Sequence, residues 1–98
     1  MTEYIGISFD NRLYKAKADL NLICEIEDEL GGCAQLLNKF SADGWKVSEL
    51  IVLIHILLQG LGRNVDYMEL GRHMLKEGLN SYLLAAQQFL SLVLNSKK

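Results

Sequence analysis

The chain has 98 residues, of which 50% are hydrophobic and 22% charged, and its formal net charge at pH 7 is −2. This mixed charge, without a lysine and arginine stripe, argues against a nucleic-acid-binding surface. The longest apolar runs fall well short of the roughly 20 residues that span a bilayer, and the N-terminus does not resemble a signal peptide. We therefore expect an intracellular protein of one domain, residues 1–98, because two halves would be too small to bury separate cores.

Residues 4–18 are predicted to form a β-hairpin. Apolar side chains alternate with small ones in its first half, at Ile5, Ile7 and Phe9. The pair Asp10-Asn11 tolerates the left-handed backbone of a tight turn. Lys15 and Lys17 then share one face of the second strand. A hairpin this small cannot stand alone, so we expect the helix that follows to cover its apolar face.

The rest of the chain, residues 19–95, is predicted to be helical. Apolar spacing and glycine breaks predict five helices, over residues 19–30, 34–40, 49–58, 66–77 and 80–95. Asp19, Ser48 and Asp66 are expected to cap the first, third and fourth helices. The third is apolar nearly all round and should lie at the centre. The predicted fold class is α+β, a hairpin packed on about five helices.

Acidic residues cluster in the first helix, at Glu25, Glu27, Asp28 and Glu29. Paired carboxylates could bind a divalent cation or act as acid and base. No histidine or second acidic segment accompanies them, and a solvated helix face is the better interpretation. Neither a metal site nor a catalytic site is therefore predicted from this cluster.

Two histidines and two cysteines could in principle ligate zinc. His55, His73, Cys24 and Cys33 do not include a pair at the close spacing of structural zinc sites, so no metal is predicted. We expect reduced thiols, and a His55 that bonds to a backbone carbonyl at the edge of the core.

Nucleophilic and nucleotide chemistry have equally little support. The serines lack a nucleophile-elbow context, and Gly60-Leu61-Gly62 follows a predicted helix rather than a strand. We predict no enzyme and no cofactor. Residues 68–88 could form a helix-turn-helix, but the second helix offers few phosphate-contacting residues, so a small DNA-binding regulator is a minor alternative.

An interaction surface is the remaining candidate site. Trp45 in a loop, Tyr82 early in the last helix, and Phe89 and Leu90 on its apolar stripe could anchor a protein partner. Core packing is the competing interpretation for each of them. We expect Trp45→Ala or Leu90→Asp to weaken partner binding if the surface interpretation holds.

Phe9 to Tyr14 resembles a "dG-r-y" turn and second strand, with Asn11 where glycine is usual, and Leu22 to Gly31 resembles an "l-x-x-l-E-x-a-l-G" helix. In these positions the joint between hairpin and helix resembles a small phage-tail family typified by gene transfer agents. Ser48 to Leu61 resembles its "dla-x-x-l-x-x-GL" helix. The resemblance covers about residues 4 to 94.

This resemblance implies a non-enzymatic role in building a phage-like tail, encoded by a phage, a prophage or a gene transfer agent. The family is often labelled a tail tube protein, and its small size also resembles tail assembly chaperones, which bind the tape-measure protein until the tube polymerises. We favour the chaperone, because a tube subunit normally needs a β-rich sandwich or barrel. Tape-measure and tube proteins are the implied partners, with self-association possible. The implied location is the bacterial cytoplasm during assembly, or the virion-like particle for a structural component.

Overall fold

A computed structural model describes residues 3–95 of the chain. Two strands precede five helices: β1 (Tyr4–Phe9), β2 (Arg12–Lys17), α1 (Leu20–Leu30), α2 (Cys33–Ser41), α3 (Val47–Gly60), α4 (Tyr67–Glu77) and α5 (Asn80–Asn95). The predicted α+β fold class is confirmed. No helix within this described part of the chain has the length and apolar character needed to cross a bilayer.

The two strands form an antiparallel hairpin with a two-residue turn. Asp10 and Asn11 have φ angles of 55° and 64°, and Phe9 pairs with Arg12 across the turn. Positive φ at both central residues is the type I′ geometry that matches the right-handed twist of the strands. The inner face of the hairpin is buried, through Ile5, Ile7, Phe9 and Ala16. The predicted hairpin and its turn are confirmed.

The helix that packs on the hairpin is not the one predicted. β1 packs on α5, the last helix, whereas α1 packs on α3 and α2. The expectation that the following helix covers the hairpin is therefore wrong. Alternation showed which face needed cover, but the sequence gives no local sign of which distant apolar helix supplies it.

Helix α3 lies at the centre of the core, as its composition predicts. Its buried side chains are Leu50, Ile51, Leu53, Ile54, Ile56, Leu57 and Leu58. Three other helices, α1, α4 and α5, pack around it. At its C-terminal end a Cβ on Gly60 would collide with Leu22 of α1, so glycine permits the close approach of these two helices.

Helix α3 begins earlier than predicted, so the predicted N-cap role of Ser48 is wrong. The helix begins at Val47, so Ser48 lies inside its first turn and Lys46 occupies the N-cap position. Glu49 Oε1 accepts the Lys46 backbone N–H at 3.0 Å, and Glu49 Oε2 accepts Lys39 Nζ of α2 at 2.7 Å. These two hydrogen bonds, the Lys39 one first, hold the pKa of Glu49 below its usual value.

The other two predicted caps lie where the sequence places them. Asp66 accepts the backbone N–H groups of Met68 and Glu69, at 3.1 and 3.2 Å, so its capping role is confirmed. Asp19 occupies the N-cap position of α1, but its side chain makes no cap hydrogen bond. Gly78 ends α4 with a φ of 101°, a left-handed value that L-residues with a side chain rarely adopt.

One carboxylate of the acidic cluster has a structural role. The N-cap of α2 is Gly32, which has no side chain to accept a hydrogen bond. Glu27 of α1 supplies the acceptor instead, since its Oε2 receives the Cys33 backbone N–H at 3.0 Å. A negative charge is also favourable at a helix N-terminus. Glu27 therefore links α1 to α2 across the two-residue connection.

We expect Glu27→Ala to lower the free energy of unfolding by about 1 kcal/mol, the usual cost of losing a helix cap. Glu25→Ala is the matched control, because Glu25 is an exposed carboxylate on the same helix and should change stability by less than about 0.5 kcal/mol. Urea unfolding followed by circular dichroism measures both. An equal loss of unfolding free energy in the two variants would contradict the capping role of Glu27.

Candidate partner-binding groove

Three of the four sequence-predicted anchor residues lie inside the core. Phe89 and Leu90 are fully buried in α5. Tyr82 is also buried, and its hydroxyl donates to Glu77 Oε1 at 2.5 Å. Burial, and secondarily the Glu77 carboxylate, raise the pKa of Tyr82. These side chains pack within the chain, and a contact of theirs with a partner stays a prediction.

Trp45 lies in the connection between α2 and α3 and is half-buried. Its ring packs beside Phe40, with ring centroids 6.0 Å apart and planes inclined at 50°. The indole thus closes one end of the core while part of it remains accessible. Its role as a partner anchor also stays a prediction.

A surface groove runs between the start of β1, the end of α2 and one face of α5. We call it the α5 groove; its volume is about 930 Å³. It is lined by Glu3, Tyr4, Ile5, Leu37, Ser41, Leu84, Gln87, Gln88, Ser91, Leu92 and Asn95. Two apolar side chains in it are well exposed, Tyr4 at 49% and Leu84 at 54%.

The α5 side of the groove follows helical spacing. Leu84, Gln88, Ser91 and Asn95 recur at intervals of four, three and four residues, which places them on one face. At 1.5 Å per residue this face extends about 16 Å, which matches about three turns of a docked helix. The groove therefore has the length of a helix-binding surface.

Apart from Glu3, the polar side chains of the groove are amides and hydroxyls. Gln87 donates to the Phe40 carbonyl at 2.6 Å, which fixes the C-terminal end of α2 against α5. Asn95 donates to Ser91 Oγ at 3.2 Å. Among the lining side chains Glu3 alone is a carboxylate, and none is a lysine, arginine, histidine or cysteine. This surface is suited to binding an apolar partner that also offers hydrogen-bonding groups.

The two histidines have different neighbours. His55 Nε2 lies 2.8 Å from the Val65 carbonyl oxygen, which confirms the predicted hydrogen bond. His73 packs edge-on against Phe9, with ring centroids 4.7 Å apart, and its Nε2 lies 3.2 Å from Glu77 Oε1. Over residues 3–95, no three His, Cys, Asp or Glu side chains are grouped to hold a metal ion.

The two cysteines are free thiols in different surroundings. Cys24 is exposed on α1, and Cys33 is buried at the start of α2. Burial, followed by the nearby Glu27 carboxylate, raises the pKa of Cys33 from 9.0 to about 11. The folded chain thus retains the Cys33 proton at a pH where the unfolded chain loses it.

The stability of the protein should therefore fall as the pH rises from about 9 to about 11, since the unfolded state binds fewer protons there. Cys33→Ala should make this part of the pH profile shallower, whereas the exposed Cys24→Ala control should not. Urea midpoints measured across this range test the prediction. A Cys33→Ala profile as steep as that of the unsubstituted chain would contradict it.

The helix pair α4–α5 does not present a free recognition helix. Gly78 and Leu79 separate the two helices, but α5 packs on β1, α2 and α3. Tyr82, near the start of α5, points into the core. A recognition helix must present a free face to the bases in the DNA major groove, and a helix covered on several sides cannot do so. The regulator alternative has no support in this geometry.

Comparison with protein families shows which family the chain belongs to. Residues 4–96 match the family described as phage tail tube protein, GTA-gp10. The chain belongs to this family. Comparison with curated proteins and with solved structures gives no match. The resemblance read from the hairpin and its following helix is thereby confirmed, and the family description names a structural phage-tail component rather than an enzyme.

The α5 groove was not anticipated from the sequence. Local patterns place Leu84 in the last helix and Tyr4 at the start of a strand, without bringing the two together. Their proximity follows from the packing of β1 on α5, whereas the sequence analysis expected α1 to cover the hairpin. A usable signal was present, because Leu84 and Gln88 fall on the outer side of the stripe that buries Ala85 and Phe89.

Proposed function

We propose that this tail-family protein is a non-catalytic tail assembly chaperone that binds an apolar helical segment of the tape-measure protein in the α5 groove. The observation that carries the proposal is the groove itself. It combines exposed apolar side chains with amide and hydroxyl groups along about three turns of one helix.

The shape of the body also favours a chaperone. Within residues 3–95 the sheet has two strands, and the remaining elements are helices. A tube wall normally needs a β-rich subunit to form stacked rings, whereas a helical body with an open apolar groove suits transient shielding of a helical client. Because the groove has no group of ionisable side chains arranged for chemistry, binding alone is the proposed activity.

A structural tube component retained in the particle is the second candidate. The family description favours it, because it names a tail tube protein. In that role the same groove would contact another tail subunit permanently. The two candidates differ in whether the chain remains in the finished tail.

We expect Leu84→Glu to weaken binding of the tape-measure protein of the same tail by about tenfold or more, because it removes an apolar contact and introduces a charge into the groove. Leu75→Glu is the matched control. Leu75 is similarly exposed, at 60%, but it lies on α4 outside the groove.

Both variants should keep the circular dichroism spectrum of the unsubstituted chain, since neither leucine is buried. Fluorescence anisotropy with labelled fragments of the tape-measure protein measures the dissociation constants. Equal affinity of the Leu84→Glu and Leu75→Glu variants would exclude the groove as the binding site.

Mass spectrometry of assembling lysate and of purified mature tails distinguishes the two candidates. For a chaperone, we expect the chain to co-purify with the tape-measure protein from lysate and to be missing from mature tails. Retention in mature tails at a fixed stoichiometry would instead establish the structural component. Absence from both samples would contradict either role in the tail.

A further inference from the structure

The hairpin has two open edges, and the turn geometry shows which backbone groups they expose. In a two-residue hairpin the residues that flank the turn form a hydrogen-bonded pair, and such pairs then alternate along the strands. Phe9, Ile7 and Ile5 therefore bond to β2. The N–H and C=O groups of Tyr4, Gly6 and Ser8 point away from the hairpin.

The β1 edge is accessible. Tyr4, Gly6 and Ser8 are all exposed, and the exposure of Gly6 is that of its backbone because it has no side chain. No hydrogen bond outside the hairpin engages the backbone groups of these residues within the described range 3–95. The α5 groove adjoins the edge at Tyr4, so open space lies beside the strand there.

The two edges differ in charge. β1 carries no charged side chain from Tyr4 to Phe9, whereas β2 carries Arg12, Lys15 and Lys17. Lysines on an edge strand oppose the addition of another strand, and an uncharged segment of β-forming residues favours it. The outward carbonyl of Lys17 is also occupied, since it accepts the Asp19 N–H at 2.8 Å. The β1 edge is therefore the one left unprotected.

We infer that β1 pairs antiparallel with β1 of a second copy about a twofold axis at Gly6. This register sets Gly6 opposite its own counterpart and Tyr4 opposite Ser8 of the second copy. Every outward N–H and C=O of the three edge residues then has a partner. The two hairpins become one four-stranded sheet.

The side chains support a second copy as the occupant. On the inner face, Ile5 lies opposite Ile7 of the second copy, so the apolar row continues across the axis. No like charges meet, because the strand has none. The equivalent twofold pairing of β2 about Lys15 would instead place two lysines directly opposite each other, which is unfavourable.

Paired charge variants test this inference. We expect the unsubstituted chain to sediment as a dimer, and Gly6→Lys to weaken dimerisation by about tenfold or more because the two introduced lysines face each other at the axis. Gly6→Glu should do the same. An equimolar mixture of the two variants should recover the dimer, because opposite charges then meet.

The experiment uses sedimentation velocity over a range of concentrations, with circular dichroism to confirm folding. The nearest atom to an added Cβ at Gly6 is Leu13 Cδ1, at 3.0 Å, and that exposed side chain can move aside.

Lys17→Glu on the other edge is the control and should leave the dimer unchanged. A monomeric unsubstituted chain, or a dimer unaffected by Gly6→Lys, would overturn the inference. Failure of the mixture to recover the dimer would overturn the proposed register. Leu84 is not one of the three edge residues, so the client-binding test at Leu84 uses a different substitution and a different measurement.

Discussion

The arrangement of this protein depends on the need to enclose α3. This helix is apolar nearly all round, so several neighbours must cover it at once, and α1, α4 and α5 do so. Helix α5 in turn covers β1 and contacts α2, which places it in two layers of packing. These contacts bury five of the sixteen residues of α5. The strip of α5 between the start of β1 and the end of α2 remains open, and this strip is the α5 groove.

Local patterns predicted the elements well, because their signals lie in neighbouring residues. Alternation at Ile5 and Ile7 located β1, and the capping carboxylate of Asp66 located α4 to the residue. The start of α3 was missed because Ser48 is a strong N-cap type, yet Glu49 stabilises a start two residues earlier through the Lys46 N–H. Lys39 of another helix also donates a hydrogen bond to Glu49, and local sequence does not report such contacts.

The surface that this packing leaves open could not be predicted from the sequence, for a related reason. Phe89 and Leu90 of α5 had two interpretations, partner anchor or core packing, and in the structure they face α5's neighbours in the core. Periodicity identifies a stripe without stating how many elements will cover it. The packing of β1 on α5 leaves Leu84 exposed, and this is visible only in the folded structure. The prediction for the acidic cluster was likewise incomplete. Glu27 caps α2 only because the connection between α1 and α2 places the Cys33 N–H beside its carboxylate.

The symmetry of a strand-edge contact bears on the choice between chaperone and tube component. A twofold pairing of β1 with β1 is isologous, so it closes after two copies and cannot extend into a ring or a tube. A ring built through the strand edges would need head-to-tail pairing of β1 with β2 of the next copy. In this chain the β2 edge carries three cationic side chains, and the Lys17 carbonyl is already bonded to Asp19. A closed pair of copies is better suited to hold a long helical client during assembly than to form the wall around it.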